Sequence, residues 1–410
     1  MAIRGAYTIA MRILISSLLA AGALFAADPP TAFTGARVID GTGKAAVENA
    51  TILVRDGRIE AVGRVVKIPD GARRIDLTGK TVIPGLVNAH GHVSNIDQLG
   101  LYARYGVTTV FSLGGDREVE LRREAAGPGR ARLFIAGPIP TSRTAEDGRK
   151  AVDAIAAAKT DIVKIRIDDQ LGHAQKMPPE AYTAIIDEAH KRGMRVAVHI
   201  VTLADAKAVL RLGADIIAHS VRDQEIDDET IALLKKNGAF YIPTFLREVS
   251  TFVYGENPGW LKEPFLTRDG NHSEMARAQE AAFQEAMRND AAGKWYKEHL
   301  PVAMRNMKKA YDAGVAVAMG TDTGPPYRFQ GYFEHMELEY MVDAGLTPMQ
   351  TIVAATSTGA RALKAKDLGT IEPGKQADFV ALAGNPLENI RNTRTLESVW
   401  IAGSRVPEKQ

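Results

Sequence analysis

The sequence predicts an α/β protein, a (β/α)8 TIM-like barrel with a small β-sandwich domain formed from both termini. Three observations carry this expectation. Eight short apolar runs alternate with helical patterns through the middle of the chain. These runs are continuous in Val and Ile rather than strictly alternating, as expected of parallel strands covered by helices on both sides. Strand-rich text with turn signals stands at both ends, and two such ends with unpaired edges are better joined than left apart.

Taken in order, residues 1–26 differ in kind from the rest of the chain. Arg4 and Arg12 flank a start that runs into "ILISSLLAAGALFAADPP", an apolar core followed by small residues and Asp28-Pro29-Pro30. This is the pattern of a cleaved signal peptide, too short for a comfortable membrane span, with a retained anchor or a true start at Met11 as the alternatives. The expectation is an exported protein, periplasmic or secreted, with no stable membrane insertion after cleavage. Then "FTGARVIDG", "ATILVRDGRIEAVG" and "RRIDLTGKTVIPG" read as short strands, the second with a turn at Asp56-Gly57. A matching block returns in "GTIEPGKQADFVALAG" and "TLESVWIAGSRV". Residues 33–82 and 365–408 are therefore assigned to one composite β domain.

Residues 83–364 are assigned to the barrel. Its strands are read in "TVIPGLVNAH", "GVTTVFSLGG", "RLFIAGPIP", "DIVKIRID", "RVAVHIV", "DIIAHS", "FYIPTF" and "VAVAMGTD". Patterns such as "PPEAYTAIIDEAHKRG" and "IDDETIALLKKNG" supply the helices between them. A doubly wound sheet is the competing arrangement. Eight units favour closure, and closure places chemistry at the C-terminal ends of the strands. One long departure, residues 247–312, holds Phe252, Tyr254, Trp260, Phe265, Trp295 and Tyr296. It reads either as a lid or substrate wall or as helices packing their own aromatics.

Composition narrows the function. Lys and Arg total 51 against 49 Asp and Glu, and the basic residues form no long run, so neither nucleic acid nor an anionic membrane surface is an expected partner. A small-molecule substrate is expected, and homo-oligomerisation stays open. The chain has no cysteine, which excludes disulfides, a thiol nucleophile and Cys-ligated zinc. Any metal site must use His, carboxylate or Lys-derived ligands.

Polar residues interrupt or close several of the apolar runs. His90 and His92 end the first barrel strand, Lys164 lies in "DIVKIRI", His199 in "VAVHI", His219 in "IIAHS" and Asp322 in "AMGTD". A single buried histidine is more often a hydrogen-bonded core residue than a ligand, and a buried lysine is costly without a partner. The set changes that reading. Residues two apart on a strand share a side, so His90 and His92 can both face the barrel mouth. Four imidazoles, one amine and one carboxylate converging there are accommodated most simply by a divalent metal.

With His90-Gly91-His92 followed in order by Lys164, His199, His219 and Asp322, the chain resembles the metal-dependent amidohydrolase superfamily, its imidazolonepropionase-related branch with prolidase-like dipeptidases in particular. The resemblance spans the split β domain and the "GTIEPGKQADFVAL" ending. It implies two divalent metal ions, zinc being the expected identity, and a CO2-derived carbamate on Lys164 that bridges them. His90, His92 and Asp322 would hold the first metal, His199 and His219 the second. The implied reaction is cleavage of an amide bond by a metal-bridging hydroxide, with Asp322 as catalytic acid/base. Dipeptides of the Xaa-Pro type or N-acyl amino acids with a free carboxylate are the expected substrates. Arg222 and Tyr241 are the expected substrate-binding residues, Arg222 gripping the carboxylate and Tyr241 binding the same group or the oxyanion. For Arg222 an ion pair with Asp223 or another nearby acid is the plainer alternative. His173, His190, His272, His299 and His335 lack strand-end context and read as surface or helix residues; of these His335 has the best chance of reaching the pocket. Other readings are a mononuclear cyclic amidohydrolase or deaminase, a lactonase or phosphotriesterase, and a noncatalytic scaffold.

Overall fold

The structure, a computed structural model, describes residues 29–409. The signal-peptide segment 1–26 lies outside them. No helix among the described residues is long and apolar enough to cross a membrane.

Five strands open the described chain: β1 (Thr31–Val38), β2 (Val47–Arg55), β3 (Arg58–Gly63), β4 (Arg73–Asp76) and β5 (Thr81–Pro84). Eight more build the barrel: β6 (Leu86–Gly91), β7 (Val107–Ser112), β8 (Arg132–Ile135), β9 (Val163–Arg166), β10 (Val196–His199), β11 (Ile216–Ala218), β12 (Phe240–Ile242) and β13 (Ala316–Val317). Three end the chain: β14 (Phe379–Leu382), β15 (Leu396–Ile401) and β16 (Ser404–Arg405).

The first and last groups pair directly. β14 runs antiparallel to β5, with Val380 opposite Ile83 and Ala381 opposite Val82. Their strands join in one eight-stranded sheet in the order β16-β15-β14-β5-β1-β2-β3. It branches at β1, which pairs with β4 over residues 31–34 and with β5 at residues 37 and 38. Aromatic packing ties the two termini together: the Phe33 ring lies 4.9 Å from Phe379 and 4.7 Å from Trp400, both edge-on. Such edge contacts add to the hydrophobic gain of burying three large rings.

The barrel strands form two parallel runs, β6-β7-β8 and β13-β12-β11-β10-β9. Backbone hydrogen bonds link the runs on both sides. Asp161 N donates to Ile135 O at 2.9 Å on one side. On the other, Ala89 N donates to Met319 O at 2.9 Å and His92 N to Thr323 O at 2.7 Å. Inside, Val87, Ala89, Phe111, Ile162, Ala197, Ile216, Ile242 and Ala318 pack in one cluster. Val163, Ile165, Val196, Val198, Ile217, Tyr241 and Val317 belong instead to the larger core beneath the helices. The period of two thus decides which side chains can reach the mouth. On β9, Ile162, Lys164 and Arg166 share the inner side.

The aromatics of residues 247–312 pack mainly on one another and on the helix Tyr332–Asp343. The Trp260 ring lies 5.6 Å from Tyr332 and 5.8 Å from both Phe333 and Tyr254. None of these rings lines the cavity at the barrel mouth, which this segment reaches through Arg247.

Candidate metal centre

All six polar strand-end residues meet in one cavity of about 320 Å³: His90, His92, Lys164, His199, His219 and Asp322. Arg166, Arg247 and Arg328 join them, with Leu113, Ile139 and Pro325 as the apolar wall. Two of the six adopt unusual backbone conformations. His219 has φ of 73° and Asp322 of 59°, as has Thr244, at 51°, beside them. Left-handed backbone at residues other than glycine costs about 1–3 kcal/mol and persists where the surroundings over-determine it.

The ring nitrogens are sorted by their outer partners. His92 Nδ1 donates to Gly114 O at 3.1 Å, which turns Nε2 towards the cavity. That Nε2 lies 2.8 Å from Asp322 Oδ1, and His90 Nε2 lies 3.1 Å from the same oxygen. One carboxylate oxygen thus meets two imidazole nitrogens, a contact made favourable by a proton or a cation among them. Ligand atoms of His90, His92 and Asp322 all fall within 4.8 Å of one another, a compact N,N,O set. His90 Nδ1 is buried without a partner. His219 Nδ1 meets Thr244 Oγ1 at 2.6 Å, and Asp168 Oδ2 accepts from His199 Nε2 at 3.1 Å. Such outer contacts fix the tautomer and ring orientation of metal-binding histidines.

Electrostatics agree with this donor set. Burial first, then the Lys164 charge, pushes His90 down to about 3. Burial likewise holds His199 and His219 well below the usual histidine range, so the three rings are neutral and ligand-competent at pH 7. Burial works against ionisation of Asp322, but Arg328 and His90 overcome it and keep the carboxyl well below its usual value. Burial lowers Lys164 to about 7, against the upward pull of Asp322, and its Nζ lies 3.5 Å from His90 Nε2. These residues could hold one cation at His90, His92 and Asp322 and a second beside His199, His219 and Lys164.

The expected substrate residues are elsewhere. Arg222 is 1% exposed, donates Nη1 to Ile200 O and Ser220 O, and places Nε 3.2 Å from Glu248 Oε1. It pairs with an acid, the plainer alternative, but with Glu248 rather than Asp223. Arg222→Met is therefore expected to cost about 3 kcal/mol of stability in urea unfolding, since it breaks a buried ion pair whose acid keeps Arg247. Substrate preference should not change. Tyr241 also faces away from the cavity: it sits between inward-facing Phe240 and Ile242, and its hydroxyl accepts from Val221 N at 2.9 Å. His335 is buried outside the pocket, with Nε2 donating to Tyr105 O at 2.8 Å and Nδ1 3.0 Å from Thr393 Oγ1.

Sequence reasoning passed over four polar residues here. Arg166 and Asp168 carried a usable signal, standing two and four positions after Lys164 on an alternating strand. Arg247 and Arg328 lie in connections and had none.

Residues 81–406 match the Amidohydrolase family. The chain belongs to that family. Among its relatives, the ochratoxinase of Aspergillus niger is 26% identical over 281 residues, 65% of this chain and 51% of that protein. The match thus spans about half of the ochratoxinase. An imidazolonepropionase of Streptomyces avermitilis is 25% identical over 397 residues, covering 88% of this chain and 87% of that one. The amidohydrolase fold superposes on a crystal structure described as a prolidase from Bifidobacterium longum with a TM-score of 0.72 and 27% identity, covering 93% and 95% of the two chains.

Proposed function

We propose that this amidohydrolase is a metal-dependent hydrolase that cleaves an amide bond in a small substrate bearing a free carboxylate, a dipeptide of the Xaa-Pro type or an N-acyl amino acid. One observation carries the reading: the imidazoles, Lys164 and Asp322 share a single 320 Å³ cavity with three guanidinium groups and a short apolar wall. Likeness to the prolidase structure supports the choice of substrate.

In this reading His90, His92 and Asp322 would hold one zinc ion, and His199, His219 and a carbamylated Lys164 would supply ligands for a second. Metal bound there would supply Lewis-acid polarisation of the substrate carbonyl and acidification of water. The Lys164 amine, with a pKa of about 7, has a neutral fraction at physiological pH that adds to CO2. An N–C bond forms and one proton leaves the nitrogen, so the neutral amine becomes an anionic carbamate. Asp322 accepts a proton from the attacking water and returns it to the leaving nitrogen. Leu113, Ile139 and Pro325 contact the apolar part of the substrate, and the guanidinium groups take its carboxylate. Export to a periplasm belongs to the same reading, and N-terminal sequencing of the mature protein tests it.

A screen of Xaa-Pro dipeptides, other dipeptides, N-acyl amino acids and lactones with the zinc-loaded protein tests the reading; turnover confined to lactones would reject it. Arg166 is the best placed of the three guanidinium groups: its side chain is 41% exposed at the mouth, with Nη2 held by Asp168 Oδ2 at 2.8 Å. Arg166→Met should raise KM for carboxylated substrates about 10–100-fold, the scale of one charge-assisted hydrogen bond, and leave their amidated analogues unaffected.

A second reading is a mononuclear hydrolase of cyclic amides. It is favoured by the compactness of the His90, His92 and Asp322 set and by the match to an imidazolonepropionase. Metal analysis near one ion per chain would select it.

A further inference from the structure

A closed set of polar side chains lies beneath the metal centre, outside the cavity. At its centre is Glu334, fully buried in the helix Tyr332–Asp343. Its Oε1 accepts from Asn88 Nδ2 at 2.7 Å, Thr321 Oγ1 at 2.8 Å and Thr323 Oγ1 at 2.7 Å. Its Oε2 accepts from Gly331 N at 2.6 Å.

The partners of Glu334 connect to both halves of the compact N,N,O set. Thr321 and Thr323 flank Asp322, whose backbone stands in the left-handed region. Asn88 Oδ1 accepts from His90 N at 3.0 Å, and Asn88 Nδ2 also reaches Thr321 Oγ1 at 2.9 Å. Tyr102 Oη closes the set against Thr323 Oγ1 at 2.7 Å. Gly91, between the two histidines, packs straight onto it: a Cβ there would come within 2.9 Å of both Asn88 Nδ2 and Tyr102 Oη.

We propose that Glu334 is a positioning residue of the metal centre, a single buried carboxylate that holds the Asp322 turn and the His90 backbone in register before any cation binds. The inference rests on reading the six-residue cluster as a metal centre. Its physical basis is that the acid and the imidazoles come from opposite ends of the barrel sequence, and Asp322 occupies a backbone conformation that local sequence does not favour. Something must over-determine that turn. Three donors from two segments, converging on one carboxylate oxygen, do so without touching substrate. Asp322 then approaches the histidines at ligand distance with its reorganisation already complete.

The test measures zinc affinity by chelator competition on the metal-depleted full chain, with thermal unfolding in parallel. Glu334→Gln keeps the shape but presents only one acceptor oxygen to donors now held by two. It is expected to weaken zinc binding about 10–100-fold, the cost usual for removing an outer partner of a metal site. Thr323→Val removes one donor and should fall between wild type and Glu334→Gln; it also decides the matter should the latter fail to fold. A residue that only supported the fold would lower the melting temperature and leave affinity per folded molecule unchanged, and that result would overturn the proposal. Wild-type protein that bound no zinc would instead overturn the metal-centre reading itself.

Discussion

Asp322→Asn is expected to lower kcat by about 10²–10⁴-fold, the range for losing a positioned acid/base group. Asparagine preserves the shape of the side chain, so the fold should survive. It cannot carry a proton between water and a leaving nitrogen at neutral pH. It also brings an amide to a site where one oxygen stands 2.8 and 3.1 Å from two histidine nitrogens and the other meets Arg328. Steady-state kinetics with parallel metal analysis separate the two losses. An Asp322→Asn enzyme that kept its metal and the wild-type kcat would remove Asp322 from the chemistry.

The second large effect concerns Lys164. If the proposed two-metal centre holds, Lys164→Ala should drop metal content from two ions per chain towards one and cut turnover by on the order of 10²-fold or more, the scale of losing one fixed electrostatic contributor. A short carboxylic acid such as formate, entering the space left by the side chain, should restore part of both. Retention of two metals and full activity would end the bridging role. The metal-free, unmodified protein offers an independent check. Lys164 has its pKa lowered to about 7 from 10.5. Between those values the unfolded chain binds more protons than the folded one, so this group makes stability rise with pH across the window. Lys164→Ala should lack that component.

The behaviour of particular strands explains how much could be read in advance. β9 is the clearest case, because "VKIR" combines a buried apolar run with a lysine at an inward position, and period two carries the eye on to Arg166 and Asp168. β12 shows the same rule missed: Tyr241, expected to bind substrate, is turned outward by that alternation. Arg222 stands only three residues after His219, yet the chain turns away from the mouth between them. Ser220 N bonds Pro243 O and Val221 N bonds the Tyr241 hydroxyl, which drives Arg222 under the helices. His335 lies in a helix, as its lack of strand-end context suggests, and nothing in a helical segment tells which neighbouring strand or loop will meet its ring.

Sequence alone determined the family, the eight apolar strand runs, the strand-rich termini and the six side chains that meet at the mouth. Each arises from a local pattern: apolar run, alternation, turn residue, or polar interruption in a buried strand. Tertiary structure alone decided that Arg247 and Arg328, rather than Arg222, line the cavity beside Arg166, and that Glu334 lies beneath the centre. Those positions depend on how connections pack against strands far away in the chain. A contact such as Asn88 with Glu334, 246 residues apart, leaves no trace in the periodicity of either segment.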